Sequence, residues 1–131
     1  MQNNQDIIRS LMEEQQYGAG IWHFATYVDR YATDGYGEPR SVLDAIELAG
    51  KVQDLSVVDI NYPYFGGNFT HEDIKVAVDK AGLGVIGITP EIYTREFRKG
   101  AFTNPDSGIR RRAHELITES CEAVRFFNAS Y

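Results

Sequence analysis

Apolar residues along this chain form two kinds of pattern, short continuous runs and longer stripes at helical spacing. A short run without polar alternation is typical of a parallel strand that is buried on both faces. Three such runs predict strands near residues 18–25, 56–61 and 85–89. Stripes at helical spacing predict helices over residues 4–16, 39–50, 70–81 and 104–127. The pattern therefore predicts three strand–helix units preceded by a short N-terminal helix.

Capping residues support two of the predicted helix starts. Thr70 and Asp73 have the spacing of a capping box, in which each side chain can satisfy a free backbone N–H group. Asn104 is predicted as the N-cap of the last helix, with Pro105 and Asp106 in its first turn. A carboxylate at that position also favours the positive end of the helix dipole.

The order of these elements predicts an α/β fold with a parallel sheet, because strand–helix–strand units with short links form right-handed crossovers. In such sheets, binding and catalytic groups gather at the carboxyl ends of the strands. The loops that follow the predicted strands are the long ones, over residues 26–38, 61–69 and 90–103. We therefore expect the functional site at that edge of the sheet.

Length and charge limit the classes of protein that the chain can represent. Its 131 residues fit a single domain over residues 1–131 with a modest core. The net charge of −6, without a basic stripe, argues against a nucleic-acid partner. No window approaches the roughly 20 apolar residues of a membrane span, and the first residues lack the pattern of a secretory signal. We expect a cytoplasmic protein with no membrane partner.

The cysteine and the histidines do not form a recognisable reactive or metal-binding motif. Cys121 lies within the apolar pattern of the last helix, which predicts a buried structural thiol. His23, His71 and His114 have no ligand-like spacing, so we expect no metal site built from them alone.

Two further motifs have structural explanations. Gly82, Gly84 and Gly87 match GxGxxG, but they lie between a helix and the following strand, which is the wrong order for a dinucleotide site. Three consecutive arginines, Arg110–Arg112, are spread around a helix, which favours a solvated face over a phosphate site.

His23 lies at the end of the first predicted strand, between Trp22 and Phe24. Alternation along a strand would place Trp22 and Phe24 on one side and His23 on the other, so only one set can point inward. A substrate contact and a core histidine bonded to a neighbouring strand are equally good interpretations of His23.

Polar and aromatic residues follow the ends of the second and third predicted strands; they are Asp59, Asn61, Tyr62, Glu91 and Tyr93. Two carboxylates at neighbouring strand ends could serve acid–base or metal chemistry. They could also cap loops and helices, and the sequence favours that second role for Glu91.

With these residues in place, the chain resembles the N-terminal part of the xylose isomerase-like TIM-barrel family of sugar isomerases and epimerases. The similarity covers nearly the whole chain after about residue 18. It rests on four segments in the right order, which read GIWHF, DRYATDGYGEPRSV, DINYP and FRKGAFTNPDSGIRRRA. The resemblance implies a partial (β/α)8 barrel of about three βα units.

The resemblance also implies a sugar-binding site. Trp22 matches a tryptophan that forms an apolar wall against the sugar, and Tyr93, or its neighbour Ile92, matches a second wall aromatic. Tyr36 matches an aromatic residue that reaches into the pocket of a neighbouring subunit. We expect the substrate-binding residues to be Trp22, His23, Phe24, Asn61, Tyr62 and Tyr93.

The chain departs from the family at the catalytic positions. Xylose isomerases have a histidine with an aspartate partner at the end of strand two, where this chain has Ile60, Asn61 and Tyr62. We therefore assign no catalytic residue. The family's divalent metal, Mg²⁺ or Mn²⁺, is held by strands five to eight of a barrel that takes roughly 250 residues. We expect no metal in this chain alone, and no activity without those strands.

Two other interpretations stay open. A shortened, non-catalytic family member would keep a carbohydrate-binding or assembly role. A DNA-repair endonuclease of the same barrel type is disfavoured by the acidic charge. In each case, a three-stranded parallel sheet leaves edges and apolar surface to cover, so we expect a homo-oligomer or another chain at the open barrel edge.

Overall fold

The computed structural model describes residues 4–13, 15–26, 31–32 and 35–131. In chain order, the helices and strands are α1 (Asn4–Glu13), β1 (Tyr17–Gly20), α2 (Val42–Ala49), β2 (Leu55–Tyr62), α3 (His71–Ala81), β3 (Gly84–Pro90) and α4 (Ser107–Phe127). Short 3-10 helices follow β1 at Ile21–Phe24 and β3 at Arg95–Phe97. None of the helices in the described ranges is long and apolar enough to cross a lipid bilayer.

The sheet has three parallel strands in the order β1-β2-β3, which confirms the predicted α/β class. Gly20, the last residue of β1, pairs with Asp59 of β2, and Tyr62, the last residue of β2, pairs with Pro90 of β3. The carboxyl ends of the strands therefore meet at one edge, as the sequence predicts.

The hydrophobic core lies between one face of this sheet and helices α2, α3 and α4. Val58 and Ile60 of β2 are fully buried there, together with Ile88 of β3. The helices supply Val42, Ala45, Ile46, Ala49, Ile74, Val78 and Ala123. Alternation along β2 leaves Asp59 and Asn61 on the opposite face.

The first strand is shorter than predicted, and the alternation expected for Trp22 and His23 is wrong. Pairing with β2 ends at Gly20, and Ile21–Phe24 form a 3-10 helix. The Trp22 indole folds back over Gly20, where any side chain would overlap it. Glycine therefore allows the aromatic ring to lie directly on the backbone at the end of β1.

Two helix starts differ from prediction. Helix α2 begins at Val42 rather than near residue 39, because Ser41 is its N-cap and forms a capping box with Asp44. Helix α4 is capped by Asp106, whose side chain accepts a hydrogen bond from the Gly108 N–H. Asn104 instead accepts a bond from the Asp106 N–H, so it shapes the loop before the cap. The predicted capping box of Thr70 and Asp73 is confirmed.

Cys121 is exposed, which corrects the prediction of a buried thiol. The buried positions of α4 are Ala113, Leu116, Ser120 and Ala123. Cys121 follows Ser120 by one residue, or roughly 100° around the helix, and this rotation carries it off the buried face.

The outer edge of β3 is partly bonded by the end of the chain itself. The Ser130 N–H donates to the Ile86 carbonyl, and the Ile88 N–H donates to the Tyr131 carbonyl. The Tyr131 ring lies against Gly87, where a side chain would overlap it. The sequence predicts uncovered edges in the sheet, whereas these two bonds cover part of the outer edge of β3.

Candidate functional site

A cavity of about 720 Å³ opens at the carboxyl edge of the sheet. Its walls come from the turn after β1, the segment before α2, the ends of β2 and β3, and the loops that follow those two strands. Cavities of this size accommodate small organic ligands. Described residues of the long loops that were predicted to carry the site therefore line a space large enough for such a ligand.

Four aromatic residues line this cavity: Trp22, Tyr36, Phe65 and Tyr93. Trp22 is partly buried against Gly20, whereas Tyr36 is 68% exposed and stands at the rim. The Tyr36 N–H donates to the Thr26 carbonyl at 2.8 Å, which holds the rim segment against the end of the first 3-10 turn. The walls therefore combine fixed and exposed aromatic faces.

Asn61 and Tyr93 form the polar part of the wall. The Asn61 Nδ2 group donates to the Tyr93 hydroxyl oxygen at 2.6 Å, and Asn61 is only 2% exposed. Because the Tyr93 oxygen accepts this bond, its own hydrogen can point toward a ligand. Burial, reinforced by the charge of Glu91, raises the pKa of Tyr93 to about 12, so the phenol remains a neutral donor at physiological pH.

Thr89 and Asp59 extend the polar face from β3 to β2. The Thr89 hydroxyl donates to Asp59 Oδ1 at 2.8 Å, and Asp59 is 8% exposed. Thr89 lines the cavity, whereas Asp59 supports it from behind. This bond holds the threonine side chain in place.

Glu91 lines the cavity immediately after β3. Its backbone N–H donates to the Tyr62 carbonyl at 2.8 Å, which holds the residue beside the end of β2. Burial raises the pKa of the carboxyl group to about 6. The capping role favoured by the sequence has no side-chain hydrogen bond to support it among residues 4–13, 15–26, 31–32 and 35–131.

Among the described residues that line the cavity, Arg40 is the cation, and it is exposed. Its Nη1 donates to the Phe24 carbonyl at 3.3 Å, and its backbone N–H donates to Thr26 Oγ1 at 3.1 Å. Both bonds anchor it to the segment that carries the Trp22 wall. The guanidinium is therefore held at a defined side of the opening.

The structure brings together some of the predicted site residues and separates others. Trp22, Asn61 and Tyr93 line the cavity, and so does Tyr36, within its own chain. His23 is exposed and lies outside the lining, and Phe24 and Tyr62 pack against the hydrophobic core. The placement of His23, Phe24 and Tyr62 therefore gives them no direct contact with the cavity.

The sequence does not predict four of the residues that line the cavity: Thr26, Arg40, Phe65 and Thr89. Thr89 could have been found, because it is two residues before Glu91 on the same predicted strand and loop. The other three depend on contacts between distant segments, such as the bond from Val42 N–H to the Phe65 carbonyl.

The described residues do not fit a divalent metal. Nowhere in that part of the chain do three or more His, Cys, Asp or Glu side chains come together as possible ligands. His71 bonds the Tyr64 hydroxyl at 2.7 Å, and the His114 ring contacts Phe102.

Comparison of the chain with protein-family models and with curated proteins gives no match. The likeness to sugar isomerases therefore rests on the sequence segments quoted above.

Proposed function

We propose that the cavity binds a small sugar and that this chain supplies part of the sugar-binding rim of a sugar isomerase or epimerase. The observation that carries the proposal is the combination of four aromatic walls with a few fixed polar groups in one cavity at the strand ends. Sugars present apolar C–H faces and a ring of hydroxyl groups, and such a lining suits both.

The polar groups supply both kinds of hydrogen-bonding partner that a sugar needs. The Tyr93 hydroxyl can donate while its oxygen is occupied by Asn61. The Glu91 carboxylate can accept from sugar hydroxyls, and Arg40 can donate from the mouth. Because Asn61 fixes the phenol, little ordering of this side chain remains to oppose binding.

The isomerase or epimerase activity belongs, in this proposal, to a complete (β/α)8 barrel, and the likeness in sequence supports it. A divalent Mg²⁺ or Mn²⁺ ion bound by other strands would polarise substrate oxygens there. The described residues form no such ligand set, so we assign no metal ligand and no catalytic residue in this chain.

The same proposal includes a cytoplasmic location and self-association that covers the open barrel edge. Tyr36 stands exposed at the rim, a position from which it could also meet a neighbouring subunit. A non-catalytic carbohydrate-binding protein would use the same cavity and would differ only in lacking turnover.

The chain contains one tryptophan, Trp22, which lines the cavity and provides an intrinsic probe. We propose titrating its fluorescence with D-ribose, D-xylose, D-fructose and D-glucose. At least one sugar is expected to give a saturable change. The absence of a saturable change with all four sugars would contradict the proposal. Conversion of the sugar with Mn²⁺ or Mg²⁺, assayed on the complete barrel, would distinguish an isomerase from a binding protein.

Truncation of one exposed aromatic residue provides a matched comparison. Tyr36→Ala is expected to weaken sugar binding by about threefold to tenfold, because an aromatic contact contributes roughly 0.5–1.5 kcal/mol. Phe102→Ala is the control, since Phe102 is 43% exposed and lies outside the cavity lining. Equal losses in the two variants would show that the effect does not come from the cavity.

A further inference from the structure

The Glu91 carboxyl group is partly buried in the cavity wall, and no described residue is its hydrogen-bonding partner. The structure gives its side chain no hydrogen bond and no ion pair with any described residue. Partial removal of a carboxylate from water is costly unless a donor or a cation compensates it, and proteins ordinarily provide one of the two. Glu91 is therefore a group in the cavity wall whose hydrogen-bonding capacity is not taken up by any described residue.

The charged and titratable groups around Glu91 do not meet this need. Arg40, on the segment before α2, lines the same cavity, but no ion pair within 4.0 Å joins the two residues. Asp59 on β2 bonds Thr89, and Tyr93 on the same loop accepts from Asn61. Tyr36 stands at the rim, where it is exposed.

We infer that Glu91 is the residue that orients the ligand, by accepting hydrogen bonds from two adjacent hydroxyl groups of a neutral polyol. The inference rests on the proposed sugar binding. It adds that the ligand is a neutral polyol and that Glu91 binds it in the ionised form. A carboxylate accepts at two oxygens and can therefore serve a vicinal diol, which a neutral amide serves less well. Tyr93 donates to a third ligand oxygen. Glu91 and Tyr93 together therefore fix one orientation of the ligand in the cavity.

Sugar binding is then coupled to the ionisation of Glu91. Burial raises the pKa of this carboxyl group to about 6 in the free protein. Hydroxyl donors bind the ionised form, so affinity rises as the pH increases through this value and levels off above it. From this value the affinity is expected to be about tenfold lower near pH 5 than near pH 7.

The test is a series of Trp22 fluorescence titrations between about pH 5 and about pH 8 with the same four sugars. Wild type is expected to show the tenfold change in affinity. Glu91→Gln is expected to bind at least about tenfold more weakly near pH 7, with little change between pH 5 and pH 7. Glu96→Gln is the control, because Glu96 is exposed on the same loop and does not line the cavity.

A second measurement does not depend on how the variant folds. In wild-type protein, the ¹³C resonance of the Glu91 side-chain carboxyl is followed against pH with and without saturating sugar. Because the sugar binds the carboxylate, its presence at saturation is expected to lower the titration midpoint by at least about one pH unit.

The outcomes separate the inference from the proposed function. If wild type and Glu91→Gln bind a sugar equally and without pH dependence, Glu91 does not orient the ligand, although sugar binding stands. An unchanged carboxyl midpoint at saturating sugar overturns the inference in the same way. If wild type binds none of the four sugars at any pH, the proposed function and this inference both fail.

Discussion

The two faces of β2 are equally buried but carry side chains of opposite character. Val58 and Ile60 are 0% exposed between the strand and the helices. Asp59 and Asn61, which alternate with them, are 8% and 2% exposed on the other face. The apolar pair needs only close packing, whereas each polar residue needs a partner from across the sheet, supplied by Thr89 and Tyr93.

This difference shows that burial alone does not separate a core from a site. On the helical face, burial removes apolar surface from water and stabilises the fold. On the open face, the same burial costs free energy that hydrogen bonds only partly offset, and Glu91 has no such bond to a described residue. Buried polar groups that lower the stability of the fold are typical of ligand-binding sites.

The largest effect is expected on the helical face. Ile60→Ala removes a fully buried side chain and is expected to lower the free energy of unfolding by about 2–5 kcal/mol. Urea denaturation measures the change. Val76→Ala on α3 is the control, because Val76 is 68% exposed, and its effect should stay within about 0.5 kcal/mol. Similar losses in both variants would mean that the helical face is not the main core.

On the open face, Glu91→Gln is expected to stabilise the protein. Burial raises the pKa of Glu91 from 4.5 to about 6. Its contribution to stability is therefore full below pH 4.5 and is lost as the pH rises through about 6. At higher pH the neutral amide avoids this loss, so the free energy of unfolding should rise by up to about 2 kcal/mol.

The contribution of Glu91 to the pH dependence of stability must be measured as a difference between wild type and variant. Other carboxyl groups change the free energy of unfolding in the opposite direction with pH. Hydrogen bonds with Ser41 lower the pKa of Asp44, and hydrogen bonds with Thr70 lower the pKa of Asp73, so their contributions are lost as the pH falls. Unfolding of wild type and Glu91→Gln should therefore be compared at each pH, with Glu96→Gln as the control. A variant that is less stable than wild type at neutral pH would show that the carboxylate has a stabilising partner.

The helical face was the more predictable of the two. Strand number, helix number and the Thr70 capping box follow from patterns within a few residues, which the sequence displays directly. Two of the wrong predictions concern the cap of α4, where two neighbouring residues are both suitable, and the burial of Cys121, which changes with a shift of one position along the helix. Asn104 and Asp106 are both good caps, and Cys121 is one residue off the buried stripe of α4.

Apart from Trp22 and Tyr36, which the family resemblance indicated, the candidate site was predictable only where a strand end fixes the residue. Asn61 was found because it lies at the end of β2 and Tyr93 because it follows β3, and both line the cavity. Arg40 and Phe65 were missed, since loops far apart in sequence bring them to the wall. The lack of a described residue paired with Glu91 depends on all of its surroundings, and no spacing rule in the sequence displays it.

Loss of the hydrogen bond between Asn61 and Tyr93 should have an intermediate effect. Tyr93→Phe leaves the buried Asn61 amide without this acceptor, which is expected to cost about 1–2 kcal/mol of unfolding free energy. Thermal denaturation measures the loss, with Tyr17→Phe on β1 as the control because Tyr17 is 49% exposed and does not line the cavity. Equal effects would mean that the buried bond contributes no more than a surface hydroxyl.

The smallest effect is expected on the solvent side of α3, which lacks both apolar burial and buried polar partners. Lys75 pairs with Asp79 one turn away, and their side chains are 50% and 58% exposed. Lys75→Gln is expected to cost no more than about 0.5 kcal/mol, because exposed pairs on a helix are weak. The cost should disappear in about 1 M NaCl, where charges are screened within roughly 3 Å. Lys99→Gln is the control, since Lys99 is exposed and forms no ion pair with a described residue. A cost above about 1 kcal/mol that persists in salt would contradict this prediction. It would mean that an exposed ion pair stabilises the fold as much as the buried Asn61–Tyr93 hydrogen bond does.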